Sequence, residues 1–189
     1  MSRWQPNARE RLERAALELF VEQGFAQTTV PQITARAGLT TRTFFRHFAD
    51  KREVLFWASG ALQELLVSAV ASAPACATPI DTIAAALEAA AAALFQGRRE
   101  YSRQRQTVIV ADAGLQEREL IKLAALATAM ADALRLRGVG DPTASLAAEA
   151  GIVVFKLAFE RWINEGEQRD FAHLIRASLD ELRAVTAGK

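Results

Sequence analysis

The sequence predicts an all-α protein of about nine helices. Alanine and leucine supply much of the 51% hydrophobic content, and runs of valine, isoleucine and threonine, which favour strands, are scarce. Apolar residues recur instead at the three- and four-residue spacing of one helix face, between Thr, Asp and Gly positions that suit helix ends. Only five prolines interrupt the 189 residues, so helices are favoured along the whole chain.

The first third of the chain predicts one longer helix followed by two short ones. The longer helix spans about residues 8–23, and its apolar stripe consists of Leu12, Ala15, Ala16, Leu19 and Phe20. Gly24 supplies a helix-ending position. Thr29 and Gln32 form the pattern of a capping box for a short helix to about Ala37. Gly38-Leu39 then predicts a turn before a second short helix over about 41–48, the arrangement of a helix-turn-helix that reads the DNA major groove.

Six further helices are predicted in the remainder of the chain. They span about residues 50–72, 79–95, 98–110, 116–137, 142–165 and 170–185. The stretch 72–79 is the clearest linker, because its prolines and small polar residues break the helical pattern. We therefore expect a helix-turn-helix domain at 1–53, joined to a second helical domain at 54–189.

The charges are distributed unevenly, although the net charge of the whole chain is only +1. Residues 1–56 hold nine Lys/Arg against six Asp/Glu, whereas residues 57–189 hold fourteen against sixteen. Within 28–52 five basic residues face a single acid, Asp50. A basic end on a near-neutral body indicates DNA binding by that end.

Several other classes of protein find little support in the sequence. No apolar run approaches the roughly 20 residues of a membrane span, and the polar first residues lack the apolar core of a signal peptide. The single cysteine, Cys76, excludes an internal disulfide, and His47 and His173 have no second ligand at metal spacing. No nucleophile with a neighbouring base and no phosphate loop is visible. We expect a cytoplasmic protein without enzymatic activity, cofactor, metal or membrane association.

Residues 28–55 resemble the headpiece of the TetR family of transcriptional regulators. The matching segments are Thr-Thr-Val at 28–30 with Ile33, Ala-Gly-Leu-Thr at 37–40, Thr43, His-Phe at 47–48, Lys51 and Val-Leu at 54–55, preceded by ALELFVEQGF in the first helix. The resemblance implies that operator DNA is bound by residues of the two short helices and their ends. These are Thr29, Thr40, Thr41, Arg42, Thr43, Phe45, Arg46, His47 and Lys51.

The second short helix has a chemistry that suits this role. Phe44 and Phe48 would form its buried face, so Arg42 and Arg46 project outward, where a guanidinium can bond guanine or phosphate. A solvated helix face is the alternative interpretation. Relatives usually carry tyrosine at the position of Phe45, which has no hydroxyl to donate to phosphate, and an apolar contact with a thymine methyl stays open.

Two of the candidate contacts lie at helix starts. Thr29 and Lys51 occupy positions where backbone amides and the positive end of the helix dipole favour a phosphate. Roles as a helix cap and a surface lysine are compatible with such contacts. Thr41 and Thr43 can touch bases or phosphates, but they need no function as plain helix-start residues.

The resemblance also implies that the second domain binds a small effector and forms a homodimer. Candidate effector residues are Trp57, Phe95, Tyr101, Arg105, Phe155 and Phe159, and their apolar character predicts an apolar or amphipathic effector. Candidate dimer residues on the last two helices are Ala148, Ile152, Phe155, Trp162, Leu174 and Leu179. For both sets, ordinary core of a single chain is the alternative.

These patterns together predict a transcriptional regulator, a repressor that its effector releases from a pseudo-palindromic operator. Two alternatives stay open. One is a helical small-molecule or lipid-binding protein, or an enzyme, whose basic end is incidental. The other is a DNA-binding adaptor that takes no effector.

Overall fold

The computed structural model describes residues 7–164, 166 and 169–188, and those residues form helices and connecting turns with no strand. The helices are α1 Ala8–Gln23, α2 Val30–Ala37, α3 Thr41–His47, α4 Glu53–Phe56, α5 Ala58–Ser72, α6 Pro79–Ala90, α7 Arg99–Val110, α8 Ala113–Leu136, α9 Thr143–Ile163 and α10 Phe171–Thr186. Only Trp57 separates α4 from α5, and α6 continues into a π-helical turn, Ala91–Phe95. The prediction of an all-α chain with about nine helices is confirmed for the described ranges.

The chain forms two compact units. The first unit contains Met1–Ala58 and Gln104–Glu119, and the second contains Ser59–Arg103 and Leu120–Lys189. The expected boundary at residue 53 differs from this division, because Val54, Leu55 and Phe56 are buried in the first unit. The segment 104–119 also joins that unit, since the Nε of Arg105 donates to the Leu55 carbonyl at 2.7 Å. Local sequence patterns could not predict that residues 104–119 belong to the first unit.

Helix α1 supplies the core of the first unit through its predicted apolar stripe. All five stripe residues are buried, and Gly24 ends the helix with a φ of 86°, as expected for a glycine. Phe25 then packs back on this core with its ring centroid 5.1 Å from that of Phe20. These contacts hold the chain close to α1 as it approaches α2.

The helix-turn-helix forms where the sequence predicts it. The Thr29 hydroxyl accepts from the Gln32 amide and the Gln32 side chain accepts from the Thr29 amide, so the capping box is complete. Gly38 adopts the left-handed conformation, with a φ of 64°, that reverses the chain into α3. Arg11 of α1 secures this turn because its Nη2 donates to the Ala37 carbonyl at 2.5 Å.

Helices α6, α9 and α10 form the centre of the second unit. Gly151 lets α9 approach α6 closely, since a Cβ built there would lie 2.3 Å from Cγ2 of Ile83. Ala144, Ala147 and Ala148 are buried on α9 as well. The small side chains of α9 therefore lie in the core of one chain.

One stretch departs from the expectation that no apolar run approaches membrane length. Glu53–Ser72 is long and apolar enough to pass a test for a membrane span by length and composition. Its buried side chains belong to two protein cores, however. Val54 and Leu55 are buried in the first unit, and Leu66 and Val70 join the core of the second. In all, 28% of this apolar window is buried in the structure.

Candidate nucleic-acid interface

Helix α3 has one buried side and one fully accessible side. Phe44 and Phe48 are buried, with ring centroids 5.3 Å apart, and fix the helix on its inner face. Successive residues of a helix are about 100° apart, so Arg42, Phe45 and Arg46 fall within an arc of about 100° on the opposite side. All three are exposed. The helix thus presents two cations and an aromatic ring together.

Arg42 and Arg46 differ from the other arginines of the described ranges. Neither makes a hydrogen bond, ion pair or ring contact with another described residue. The others are engaged: Arg36 donates to both carboxylate oxygens of Glu22, at 3.0 and 2.8 Å, and Arg11 donates to backbone carbonyls. A guanidinium offers five donors, so the two free groups retain their full capacity for an anionic or base-edge ligand.

The threonines around α3 act mainly as caps. Thr40 is the N-cap of α3, and its hydroxyl accepts from the Thr43 amide at 3.2 Å. The Thr40 and Thr43 hydroxyls lie 3.0 Å apart, whereas Thr41 is exposed. Thr29 is exposed at the start of α2. Their roles in DNA binding stay predictions, because the caps account for their positions without a ligand.

The ammonium group of Lys51 binds the loop between α1 and α2. Its Nζ donates to the carbonyls of Phe25 and Thr28, each at 2.7 Å, and lies 4.1 Å from the centroid of the Phe25 ring. Burial lowers the pKa of Lys51, against the opposing effect of Asp112. An ammonium has three donors, so one remains for the predicted phosphate. Sequence reasoning missed the structural role, since the carbonyls lie 23 and 26 residues away.

His47 ends α3 in a half-buried position. Its Nε2 is buried without a hydrogen-bond partner. Burial lowers the pKa of His47, and the positive charges of Arg46 and Arg9 lower it further. The imidazole is therefore held toward its neutral form, and its predicted DNA contact stays a prediction.

A sequence model of the family described as "Bacterial regulatory proteins, tetR family" matches residues 13–56. This match covers most of α1, both helices of the helix-turn-helix and α4. Residues 13–56 therefore form a headpiece of the TetR type. Arg42 and Arg46 lie within the matched residues.

Relatives support this assignment. The chain is 39% identical over 92 residues to the HTH-type transcriptional regulator TcmR of Streptomyces glaucescens. That match covers 49% of this chain and 41% of TcmR, so the chain spans about two fifths of this curated relative's length. Two solved structures share the fold. SmeT of Stenotrophomonas maltophilia, in complex with triclosan, has a TM-score of 0.66 at 24% identity and covers 94% of this chain and 90% of its own. FadR from Bacillus subtilis, in complex with stearoyl-CoA, has a TM-score of 0.64 at 18% identity and covers 92% and 96%.

The predicted effector residues are divided between the two units. Phe95, Phe155 and Phe159 meet in the second unit, with ring centroids 6.0 to 6.1 Å apart. Trp162 and Phe171, which were not predicted as effector residues, belong to the same aromatic cluster. The signal for these two was their aromatic character at the end of α9 and the start of α10.

The other three effector candidates have protein partners of their own. Tyr101 lies under the Arg98 guanidinium, 4.6 Å from its carbon, in the second unit. Trp57 lies under Arg9 at 5.5 Å, and Arg105 pairs with Glu119 at 3.1 Å, both in the first unit. Their assignment to an effector pocket stays a prediction.

The predicted dimer residues lie in the core of the single chain, and their part in a dimer stays a prediction. The structure buries all six of them within one chain: Ala148, Ile152, Phe155, Trp162, Leu174 and Leu179. Side chains so enclosed offer little surface to a second copy. The exposed apolar residues of α9 are instead Leu146, Val153 and Leu157. Helix α9 is apolar on two sides, and periodicity alone cannot tell which side meets the core.

Proposed function

We propose that this chain is a DNA-binding transcriptional repressor that a small apolar or amphipathic effector releases from a pseudo-palindromic operator. The observation that carries the proposal is the pair of unengaged guanidinium groups, Arg42 and Arg46, on the exposed side of α3. In a TetR-type headpiece this side enters the major groove, where an arginine can bond guanine O6 and N7 or a phosphate. Because such a protein must reach chromosomal DNA, we infer a cytoplasmic location.

The operator test begins with duplex DNA selected from a random pool by the purified full-length protein. Arg42→Ala and Arg46→Ala are then measured on the selected duplex and on scrambled DNA at fixed salt. If the arginine reads a base, its replacement should weaken binding to the selected duplex by about 1–3 kcal/mol and relax the base preference at one position. A phosphate contact should weaken binding to both duplexes and reduce the salt dependence.

Arg36→Ala provides the matched control. It removes the same charge from the neighbouring helix α2, but this guanidinium is bound by Glu22. We expect Arg36→Ala to bind the selected duplex nearly as the wild type does. Equal losses in all three variants would mean that net charge alone drives binding, and failure to select any duplex would count against the repressor function.

We propose that the effector packs against the aromatic cluster of the second unit. Phe95 and Phe159 support this, because they are the partly exposed members of the cluster and can offer ring surface to a ligand. Proteins with the same fold bind triclosan, which is largely apolar, and stearoyl-CoA, which is amphipathic. The chain passes between the two units at 58/59, 103/104 and 119/120, which provides covalent routes for coupling.

Release requires the effector to bind the DNA-free state more tightly than the DNA-bound state. Triclosan and a long-chain acyl-CoA are suitable first probes, measured by thermal shift and by displacement of the selected duplex. Phe159→Ala should reduce both responses together. If no compound of an apolar library displaces the DNA, the result would favour the alternative of a DNA-binding adaptor that takes no effector.

We propose that the homodimer forms through the exposed side of α9, rather than through the residues first predicted. Leu146, Val153 and Leu157 provide its apolar part, and the exposed Glu149 and Lys156 lie beside them with opposite charges. A two-fold axis lets such charges pair across the interface. The dimer would set two α3 helices about 34–36 Å apart, one turn of DNA.

Sedimentation of Val153→Glu tests this surface. A buried carboxylate at the centre of the interface should shift the protein to a monomer and weaken operator binding. Leu136→Glu on α8 is the control, because Leu136 is exposed on another helix. A dimer that survives Val153→Glu would show that α9 does not form the interface.

A further inference from the structure

Phe45 is an exposed aromatic residue at one edge of the proposed DNA-reading side. It exposes 56% of its surface, although its neighbour Phe44 is fully buried. Arg42 and Arg46 lie on the same side of α3, within about 100° of helix rotation. A phenyl ring contributes nothing to the solvation of the two cations on the same side of the helix. Its position therefore indicates a ligand surface that is apolar at this point.

The ring is oriented by the core beneath it. The centroid of Phe45 lies 5.4 Å from that of Phe44, and the two planes are nearly perpendicular, at 83°. Such edge-to-face contacts are a favoured geometry for aromatic pairs. Because Phe44 cannot move without opening the core, it supports one side of the Phe45 ring and leaves the other side accessible.

The chemistry of the major groove offers few apolar partners for this ring. Guanine, cytosine and adenine present hydrogen-bonding groups there, and phosphates are anionic and hydrated. Thymine presents a methyl group, the apolar feature by which the major groove distinguishes it. A phenyl ring has neither donor nor acceptor, so it gains from the methyl group and loses against the polar edges.

We propose that Phe45 is a specificity-determining residue that recognises the 5-methyl group of a thymine in each operator half-site. The proposal rests on the repressor function and names one base of its code. Arg42 and Arg46 lie on the same side of α3 and would hold the helix in the groove through their contacts. Phe45 then selects thymine at the position that the ring covers.

The test removes only the methyl group. In the selected duplex, each thymine is replaced in turn by deoxyuridine, which keeps the Watson–Crick pair and both carbonyl oxygens. Affinities of the full-length protein are compared at constant salt. Burial of one methyl group predicts a loss of about fourfold at one thymine per half-site, and roughly tenfold or more when both half-sites are changed.

Variants of Phe45 test whether the loss of affinity for the uracil duplex depends on its ring. Phe45→Ala should bind the thymine and uracil duplexes equally, whereas Phe45→Leu should keep part of the preference because its side chain remains apolar. Circular dichroism controls for folding, which the exposed position should leave intact. Equal sensitivity of Phe45→Ala and wild type to the uracil duplex would overturn the proposal.

The outcomes separate this proposal from the function on which it rests. A chain that selects no duplex fails as a repressor before uracil is tested. A chain that selects a duplex and binds every uracil-substituted version equally well keeps its function, but the role of Phe45 is then refuted. A loss at one symmetric pair of thymines, absent in Phe45→Ala, supports both.

Discussion

Replacement of Gly151 by alanine is expected to destabilise the second unit, even though alanine favours helices. Gly151 is buried within α9 against α6. The added Cβ would lie 2.3 Å from Cγ2 of Ile83, and 3.7 Å from Cδ1 of Leu87. Carbon atoms in contact prefer a separation of about 3.5–4.0 Å, so the contact with Ile83 is short by more than about 1 Å.

The cost follows from the stiffness of the neighbour. Ile83 is fully buried, and its branched side chain has little rotamer freedom in a helix. The overlap must therefore move α6 or α9, at a cost near the upper end of about 1–3 kcal/mol. The higher helix propensity of alanine than of glycine offsets about 1 kcal/mol of this cost. The net loss of about 2 kcal/mol corresponds to a fall in the thermal midpoint of about 4–8 °C for a chain of this size.

Gly60→Ala is the matched control for this substitution. Gly60 lies in α5, and a Cβ there has no atom within 4 Å. Alanine should therefore stabilise the protein by about 0.5–1 kcal/mol through helix propensity alone. Urea and thermal unfolding of both variants, at one protein concentration, give the comparison. A Gly151→Ala variant as stable as Gly60→Ala would refute the steric reasoning.

A double-mutant cycle identifies the atom responsible. Ile83→Ala removes Cγ2, so alanine at 151 should cost little or nothing in that background. The coupling energy between the two positions should approach the overpacking cost of about 3 kcal/mol. Coupling near zero would place the strain elsewhere.

Three further predictions concern the first unit. Lys51→Met should lower its free energy of unfolding by about 1–3 kcal/mol in urea denaturation, because two loop carbonyls lose their donor, whereas Arg42→Met should leave it unchanged. Thr29→Ala should cost about 1 kcal/mol by the same measurement, and Thr29→Ser should restore most of it, since serine also caps. Because burial and two nearby arginines lower the pKa of His47, the unfolded chain takes up a proton first as the pH falls through 6.5. Stability should therefore be full above pH 6.5 and decline below it, and His47→Gln should remove that part of the decline.

Local features of the sequence sufficed for most of the fold. The capping box at Thr29 and Gln32, the left-handed Gly38 and the stripe of α1 act over three to eight residues, so each can be read from neighbouring letters. The buried faces of α1 and α3 followed from helical spacing, and both are confirmed. The candidate DNA-binding residues were predicted as a set. Within that set, the sequence could not distinguish the threonines that cap helices from the arginines that have no partner among the described residues.

The sequence by itself therefore determined the helices, their ends and the helix-turn-helix, because backbone capping and amphipathic spacing are short-range effects. Only the tertiary structure decided which side chains have partners and which helix faces are buried. It binds Lys51 to carbonyls more than twenty residues away, buries the small side of α9 against α6 and returns 104–119 to the first unit. Among the described residues it also leaves Arg42 and Arg46 without a partner, since that depends on where the acidic side chains lie in the fold. Such contacts join residues distant in sequence, and no local pattern records them.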